Sequence, residues 1–207
     1  MQEDHSIFKK EVEDYERNYS IVDCIYTQCI QEFSKLILNE IGEEEEVRIL
    51  RPYLLTWGNM TRVLGYEGVK KVREIIKGIG EIDSLRDADL SIVDLFEHKD
   101  LTVKLFDKIC NTYFMSNKQK EKRIGPTATS KILHLICPKL FAMWDADMRE
   151  NGEDCEAYFQ FLCEMKKKLR EYEQPIKELQ DKYCHNPIRI LDQYNWMATH
   201  KAPFNQI

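Results

Sequence analysis

Asp145 and Lys131 are the two side chains of this 207-residue chain whose types and surroundings most directly suggest chemistry. Asp145 follows the apolar run Phe141-Ala142-Met143-Trp144 and precedes Ala146-Asp147-Met148-Arg149. A carboxylate held beside a sugar stabilises positive charge that develops as a glycosidic bond breaks, and it can orient or deprotonate a water. Asp147 is the neighbouring alternative, and Asp145 also suits the cap of a short helix starting at Ala146. Lys131 lies among Ile132, Leu133, Leu135 and Ile136. An amine that reached a sugar carbon would form an imine and cleave the strand. The plainer roles of such a lysine are snorkelling to solvent or holding a phosphate. His134, nearby, reads first as a core or surface histidine.

Gly125-Pro126 opens the helix that carries Lys131, with Lys122 and Arg123 just before it. Glycine at a turn lets the backbone approach a phosphate, and proline suits a first helical position because its missing N–H would have lacked a partner. The free N–H groups and the positive end of the helix dipole then attract the anion. Such contacts hold DNA without reading its sequence. Residues 101–137 thus read as helix, tight basic turn, helix.

The stretches Ile124-Gly125-Pro126-Thr127-Ala128-Thr129-Ser130-Lys131-Ile132-Leu133 and Phe141 to Arg149, taken in order, resemble the core of the helix-hairpin-helix DNA glycosylase superfamily. Ile124-Gly125 matches that family's hydrophobic–Gly turn, and Asp145 its aspartate some twenty residues on. Trp144, Met148 and Arg149 match the apolar and basic positions around that aspartate. The resemblance is detailed over 101–150. Two departures are evident: Glu121-Lys122-Arg123 replaces the usual Leu-Pro-Gly, and Thr127 replaces the Schiff-base lysine of the bifunctional members, with Lys131 one turn later on the same face. The four-cysteine iron–sulfur loop of one branch is missing. The resemblance implies a glycosylase-like helical fold that excises a damaged or modified base by hydrolysis, in repair or in defence against foreign DNA. It implies a monofunctional enzyme without cofactor or metal. Asp145 and Lys131 would be catalytic, and Lys122, Arg123, Gly125, Thr127 and Arg149 would contact DNA. Its partner would be double-stranded DNA with one base extruded into a pocket. Tyr53, Trp57, Trp144 and Trp196 are the aromatic candidates for that pocket, with Phe141 and Tyr194 behind them. The alternative is a non-catalytic hairpin module that binds DNA or another protein.

The elements that must position these residues are helices. Ile7, Phe8, Val12, Tyr15 and Tyr19 recur at helical spacing, and the pattern resumes over 21–38. Further helices are expected over 47–57, 69–76, 90–96 (capped by Asp89 or Ser91), 101–115, 125–137, 153–172, 175–183 and 187–199. No alternating strand pattern stands out. The fold class is all-α: a compact multi-helix domain over 1–207, or two lobes, 1–95 and 96–207, flanking a cleft.

Composition sets the outer limits. The chain is 43% hydrophobic, enough for a sizeable core, and 32% charged. No window nears the roughly 18 to 20 apolar residues of a membrane span. The charged beginning of the sequence has no apolar signal-peptide run, so a cytoplasmic monomer is expected. The seven cysteines form no Cys-x-x-Cys pair, which fits buried free thiols rather than a zinc ribbon. The net charge of −6 is unlike an average nucleic-acid binder. Charge is segregated, however: acids crowd positions 43–46, and bases crowd 118–123 and 166–170.

Overall fold

One long helix braces the molecule. In the computed structural model, which describes residues 2–56, 60–116, 119–149 and 152–200, α1 runs over Gln2–Phe33. It buries Phe8, Val12, Tyr15, Tyr26, Cys29 and Phe33 along one stripe. The two N-terminal helical segments expected from the sequence are therefore one element, broken only at Tyr19, whose φ of −127° and ψ of 17° interrupt the helical ladder. After a short turn, α2 (Glu43–Glu45) continues through a wider turn over Glu46–Leu50 into α3 (Arg51–Thr56). The acidic run is not one solvated patch. Glu46 is buried and paired with Arg51 at 2.8 Å and Arg73 at 3.1 Å.

α4 (Met60–Lys77) is broken at Gly65, where φ is +65°. α5 (Lys99–Cys110) leads into a two-stranded antiparallel hairpin, β1 (Tyr113–Met115) and β2 (Glu121–Arg123), with Phe114 opposite Lys122. α6 (Gly125–Ile136) follows at once. An extended stretch, 141–145, and one turn of tight helix, Ala146–Met148, lead to α7 (Cys155–Glu171), α8 (Glu173–Tyr183) and α9 (Pro187–Thr199). The architecture is all-α apart from the hairpin.

Two expected helices are corrected. Residues 90–96 form successive turns, because the Asp89 and Asp94 carboxylates accept the N–H groups of Ser91 and Phe96 and so favour tight turns over a helical ladder. The helix expected to reach Met115 stops at Cys110, and the expected tight turn before Gly125 is the β-hairpin. Phe114 alone of β1 faces inward, packed so closely on α4 that a Cβ at Gly68 would lie 3.0 Å from its ring. A single inward residue carries no readable period.

α1 packs against α9 through a buried ionic network. Arg189 Nε donates to Asp23 Oδ1 at 2.9 Å, and a second guanidinium nitrogen donates to the Tyr15 hydroxyl at 2.8 Å. Gln193 Nε2 donates to Asp23 Oδ2 at 2.6 Å, while His185 Nε2 lies 2.8 Å from Glu16 and 3.5 Å from Asp23. Glu16, Asp23 and His185 are close enough to share a cation, and Arg189 already supplies one. Burial works against ionisation of Asp23, but His185 and Arg189 outweigh it and lower its carboxyl to about 2. Burial likewise disfavours His185 charging, and hydrogen bonds to Asp23 and Glu16 overcome it, raising the imidazole to about 9. These are two views of one contact and count once.

The raised histidine sets a sign. Its contribution is full below pH 6.5 and is lost as pH rises towards about 9. The melting temperature should therefore fall across that window, by an amount worth on the order of 2 to 3 kcal/mol. In His185→Gln the decline should flatten; thermal melts at stepped pH decide it, and an unchanged slope in the variant contradicts the assignment.

Candidate functional site

α6 is the central helix of the core, and its sequence explains why. Pro126 occupies the first turn, and Gly125, at φ +77°, makes the left-handed bend out of β2 that side-chain-bearing residues resist. Every residue from Ala128 to Ile136 is buried. Lys131 is among them, with its side chain 5% exposed. It neither snorkels nor faces solvent. Its Nζ lies 2.6 Å from Asp145 Oδ1, and the Tyr53 hydroxyl donates to its backbone carbonyl at 2.8 Å. Removing an ammonium from water costs several kcal/mol unless it is paired and hydrogen-bonded, so Asp145 is what makes a lysine tenable there.

Asp145 reaches Lys131 because the stretch before it is held straight. Residues 141–144 are buried and belong to neither helix nor sheet, so their backbone groups need other partners. Side chains provide them in register. His134 Nδ1 donates to the Phe141 carbonyl at 2.6 Å, and the Tyr158 hydroxyl to the Ala142 carbonyl at 2.9 Å. The Met143 N–H donates to Asp192 Oδ1 at 3.2 Å, and the Trp144 N–H to Ser130 Oγ at 2.9 Å. Three helices, α6, α7 and α9, thus grip four consecutive residues. Asp145 follows with ψ of 163°, and although it precedes the Ala146–Met148 turn, its carboxylate makes no capping hydrogen bond.

Protonation states around the pair follow from burial. Burial holds the His134 imidazole neutral, down at about 3, so its Nε2 accepts from Tyr26 at 2.7 Å while Nδ1–H serves Phe141. Burial pushes Asp192 well above the ordinary carboxylate range. With the His134 imidazole uncharged, its 3.9 Å approach to Asp192 is not an ion pair.

Lys131 and Asp145 open onto a cavity of about 420 Å³. α1 contributes Tyr15 and Tyr19, with ring centroids 4.9 Å apart, and α9 contributes Trp196 with His200 stacked on it. Thr56, Met60, Thr127 and Asp147 complete much of the lining. The site thus combines the Lys131–Asp145 pair, a more exposed His200–Asp147 contact at 3.4 Å and flat aromatic faces, a composition suited to a planar ligand with polar edges.

Of the residues singled out from the sequence, Lys131, Asp145, Thr127 and Trp196 come together here. Arg149 lies just behind them, bonded to the Thr127 hydroxyl, 2.9 Å from Glu153 and over the Trp144 ring. It is nearly buried, so it braces Thr127 rather than presenting a free charge. Lys122 and Arg123 are exposed on β2: Lys122 borders a separate groove with Arg62 and Lys120, and Arg123 donates to Asn111 at 3.1 Å. Tyr53 and Trp144 do not line the cavity. Tyr53 is fully buried behind Lys131, and Trp144 packs against Phe106, Tyr158 and Phe161 because the grip on 141–144 turns its ring into the core. Phe141 is also core, and Tyr194 packs on Phe8 and Tyr172. Trp57 lies outside the described residues. Among the cavity residues the sequence reading missed are Tyr15, Tyr19 and His200; the first two carried only a helical-stripe signal, indistinguishable from core.

Comparison with family models, curated proteins and solved structures gives no match. The geometry of the site itself therefore carries the functional reading.

The grip on 141–144 makes a direct prediction. Ser130→Ala leaves the buried Trp144 N–H without its acceptor and should lower stability by about 1 to 3 kcal/mol in urea denaturation. Tyr158→Phe strips the Ala142 carbonyl similarly. A loss below about 0.5 kcal/mol in both would mean that packing alone keeps this segment extended.

Proposed function

We propose that this chain is a DNA glycosylase that hydrolyses the N-glycosidic bond of a damaged or modified base, with Asp145 as the catalytic carboxylate. The observation that carries the reading is the pair that Lys131, on the helix Gly125 opens, makes with Asp145 in the wall of an aromatic-lined cavity. A base extruded from duplex DNA needs flat faces to replace its stacking, and Tyr19, Tyr15 and Trp196 offer them. The sugar would then lie near Asp145, whose carboxylate stabilises the oxocarbenium character of the breaking bond and directs a water to the anomeric carbon. Lys131 holds that carboxylate in place through a 2.6 Å contact. Exposed Lys122 and Arg123, on the strand that runs into Gly125, suit contacts to the phosphates flanking the extruded nucleotide.

Hydrolysis rather than lyase chemistry is favoured by the same pair. A nucleophilic amine must be free to reach the sugar carbon, whereas the Lys131 Nζ is held 2.6 Å from Asp145. The competing reading, a DNA-binding module without catalysis, draws on the exposed cations of the hairpin and makes no use of the buried pair.

Duplexes carrying a panel of damaged and modified bases, assayed for abasic sites, test the proposal. Asp145→Asn should lower turnover on any accepted base by at least about 100-fold, the usual scale for a lost acid–base group. Lys122→Ala with Arg123→Ala should weaken DNA binding uniformly across sequences and flatten its salt dependence. Full activity in Asp145→Asn sinks the mechanism. A covalent adduct trapped with borohydride, and lost in Lys131→Met, would assign imine chemistry to Lys131 instead.

A further inference from the structure

The turns between α4 and α5 leave two large apolar side chains in water. Leu90 and Leu95 point inward and are buried, and the Leu90 N–H donates to the Lys139 carbonyl at 2.9 Å. With the Asp89 and Asp94 turns fixed on either side, Ile92 and Phe96 face outward, 83% and 72% exposed. Phe96 rests edge-on against Phe159 at 5.7 Å. Together they border a groove of about 510 Å³ whose other side is α7. Contiguous exposed apolar groups on a charged protein mark an interaction surface more often than isolated ones do.

The charges of the groove point to what it takes. Lys166, Lys167 and Arg170 lie along its α7 side. Lys166 Nζ donates to the Val93 carbonyl, which ties α7 to the loop that displays Ile92 and Phe96. Nearby Lys99 and Lys104 are neutralised by Glu156 at 2.9 Å and Glu81 at 3.0 Å. Among the described residues no carboxylate is bonded to Lys166, Lys167 or Arg170. Asp94 is the one acid in the lining, and its Oδ1 already accepts the Phe96 N–H at 3.0 Å. Three cations without a bonded carboxylate among the described residues, beside two exposed apolar side chains in a chain of net charge −6, form a local exception to the surface.

We propose that this groove docks an acidic peptide segment of a partner protein, with apolar side chains seated against Ile92 and Phe96 and carboxylates along Lys166, Lys167 and Arg170. A second copy of the chain fits poorly, since two-fold pairing of this face sets the same three cations against themselves. A phosphate backbone would meet the cations and leave Ile92 uncovered. The proposal is independent of the glycosylase reading.

Fluorescence anisotropy on the full chain tests it. The probes are a panel of fluorescein-labelled twelve-residue peptides of Glu and Asp, carrying Phe and Leu three or four residues apart. Matched peptides with Lys in place of the acids and a labelled single-stranded oligonucleotide serve as controls. At least one acidic peptide should bind, and salt should weaken it. Ile92→Ser with Phe96→Ser, and separately Lys167→Glu with Arg170→Glu, should each weaken it about tenfold or more, the scale of a lost interface anchor. All four side chains are exposed, so the variants should melt with the parent. Failure of the whole acidic panel, or equal binding by the variants, overturns the proposal. So does oligonucleotide binding lost only with the charge variant, which gives the face to nucleic acid. Self-association in sedimentation that Ile92→Ser with Phe96→Ser abolishes also overturns it, giving the face to a second copy.

Discussion

An ammonium group buried in the middle of the central helix is the constraint from which the rest of the site follows. Lys131 lies where its neighbours on α6 are all core residues, and an unpaired charge there would unfold the chain or lose its proton. A carboxylate must therefore come to it. Asp145 is delivered from outside α6, fourteen residues further on, by a segment that cannot be helical without pulling the carboxylate away. An extended buried segment in turn needs partners for its backbone, and His134, Tyr158, Asp192 and Ser130 exist in the fold to supply them. One charged side chain thus accounts for the conformation of five residues and for four polar side chains in three helices.

The same constraint orders the protonation states. A second anion behind a single ammonium would weaken its grip on Asp145. Asp192 feels both Asp145 and Lys131, and burial pushes its carboxyl well above the ordinary carboxylate value. His134, also buried, stays uncharged and hands its one N–H to Phe141. Lys131 and Asp145 meet in this mostly buried layer. Low dielectric strengthens that interaction, and it also gives a carboxylate more influence over a cationic sugar than it would have in water.

Much of this was legible in the sequence, and what was not has physical reasons. The long helices showed their stripes, and Gly125-Pro126 marked the start of α6 because left-handed backbone and a missing N–H leave a signature in residue type. Asp145 and Lys131 could be singled out as polar residues in apolar runs. Their mutual contact could not, because nothing local specifies that 141–145 is extended; its determinants are single side chains on α6, α7 and α9. The hairpin between α5 and α6 was hidden since each strand has three residues, too few for alternation to differ from a helix end. The 90–96 region misled in the opposite direction: Leu90, Val93 and Leu95 have acceptable helical spacing, but two aspartate turns dominate it. Arg149 was expected at the DNA from the resemblance, and its ties to Thr127 and Glu153 had no local signal.

The cavity's wall is fixed by a second, separate electrostatic contact. Tyr15 lends its ring to the cavity and its hydroxyl to Arg189, so the aromatic surface near Lys131 is anchored by the Asp23–Arg189 network that joins α1 to α9. α9 also carries Asp192, which grips Met143, and Trp196, which lines the cavity. One face of α9 therefore sets the position of Asp145, one aromatic wall and, through Arg189, the other. The Tyr15 ring cannot shift without disturbing a buried ion pair, and a side chain held this way loses little freedom when a flat ligand enters. That is preorganisation in the sense that matters for binding and catalysis: the ordering cost falls on folding, where a core of this size can absorb it, instead of on the encounter with the ligand.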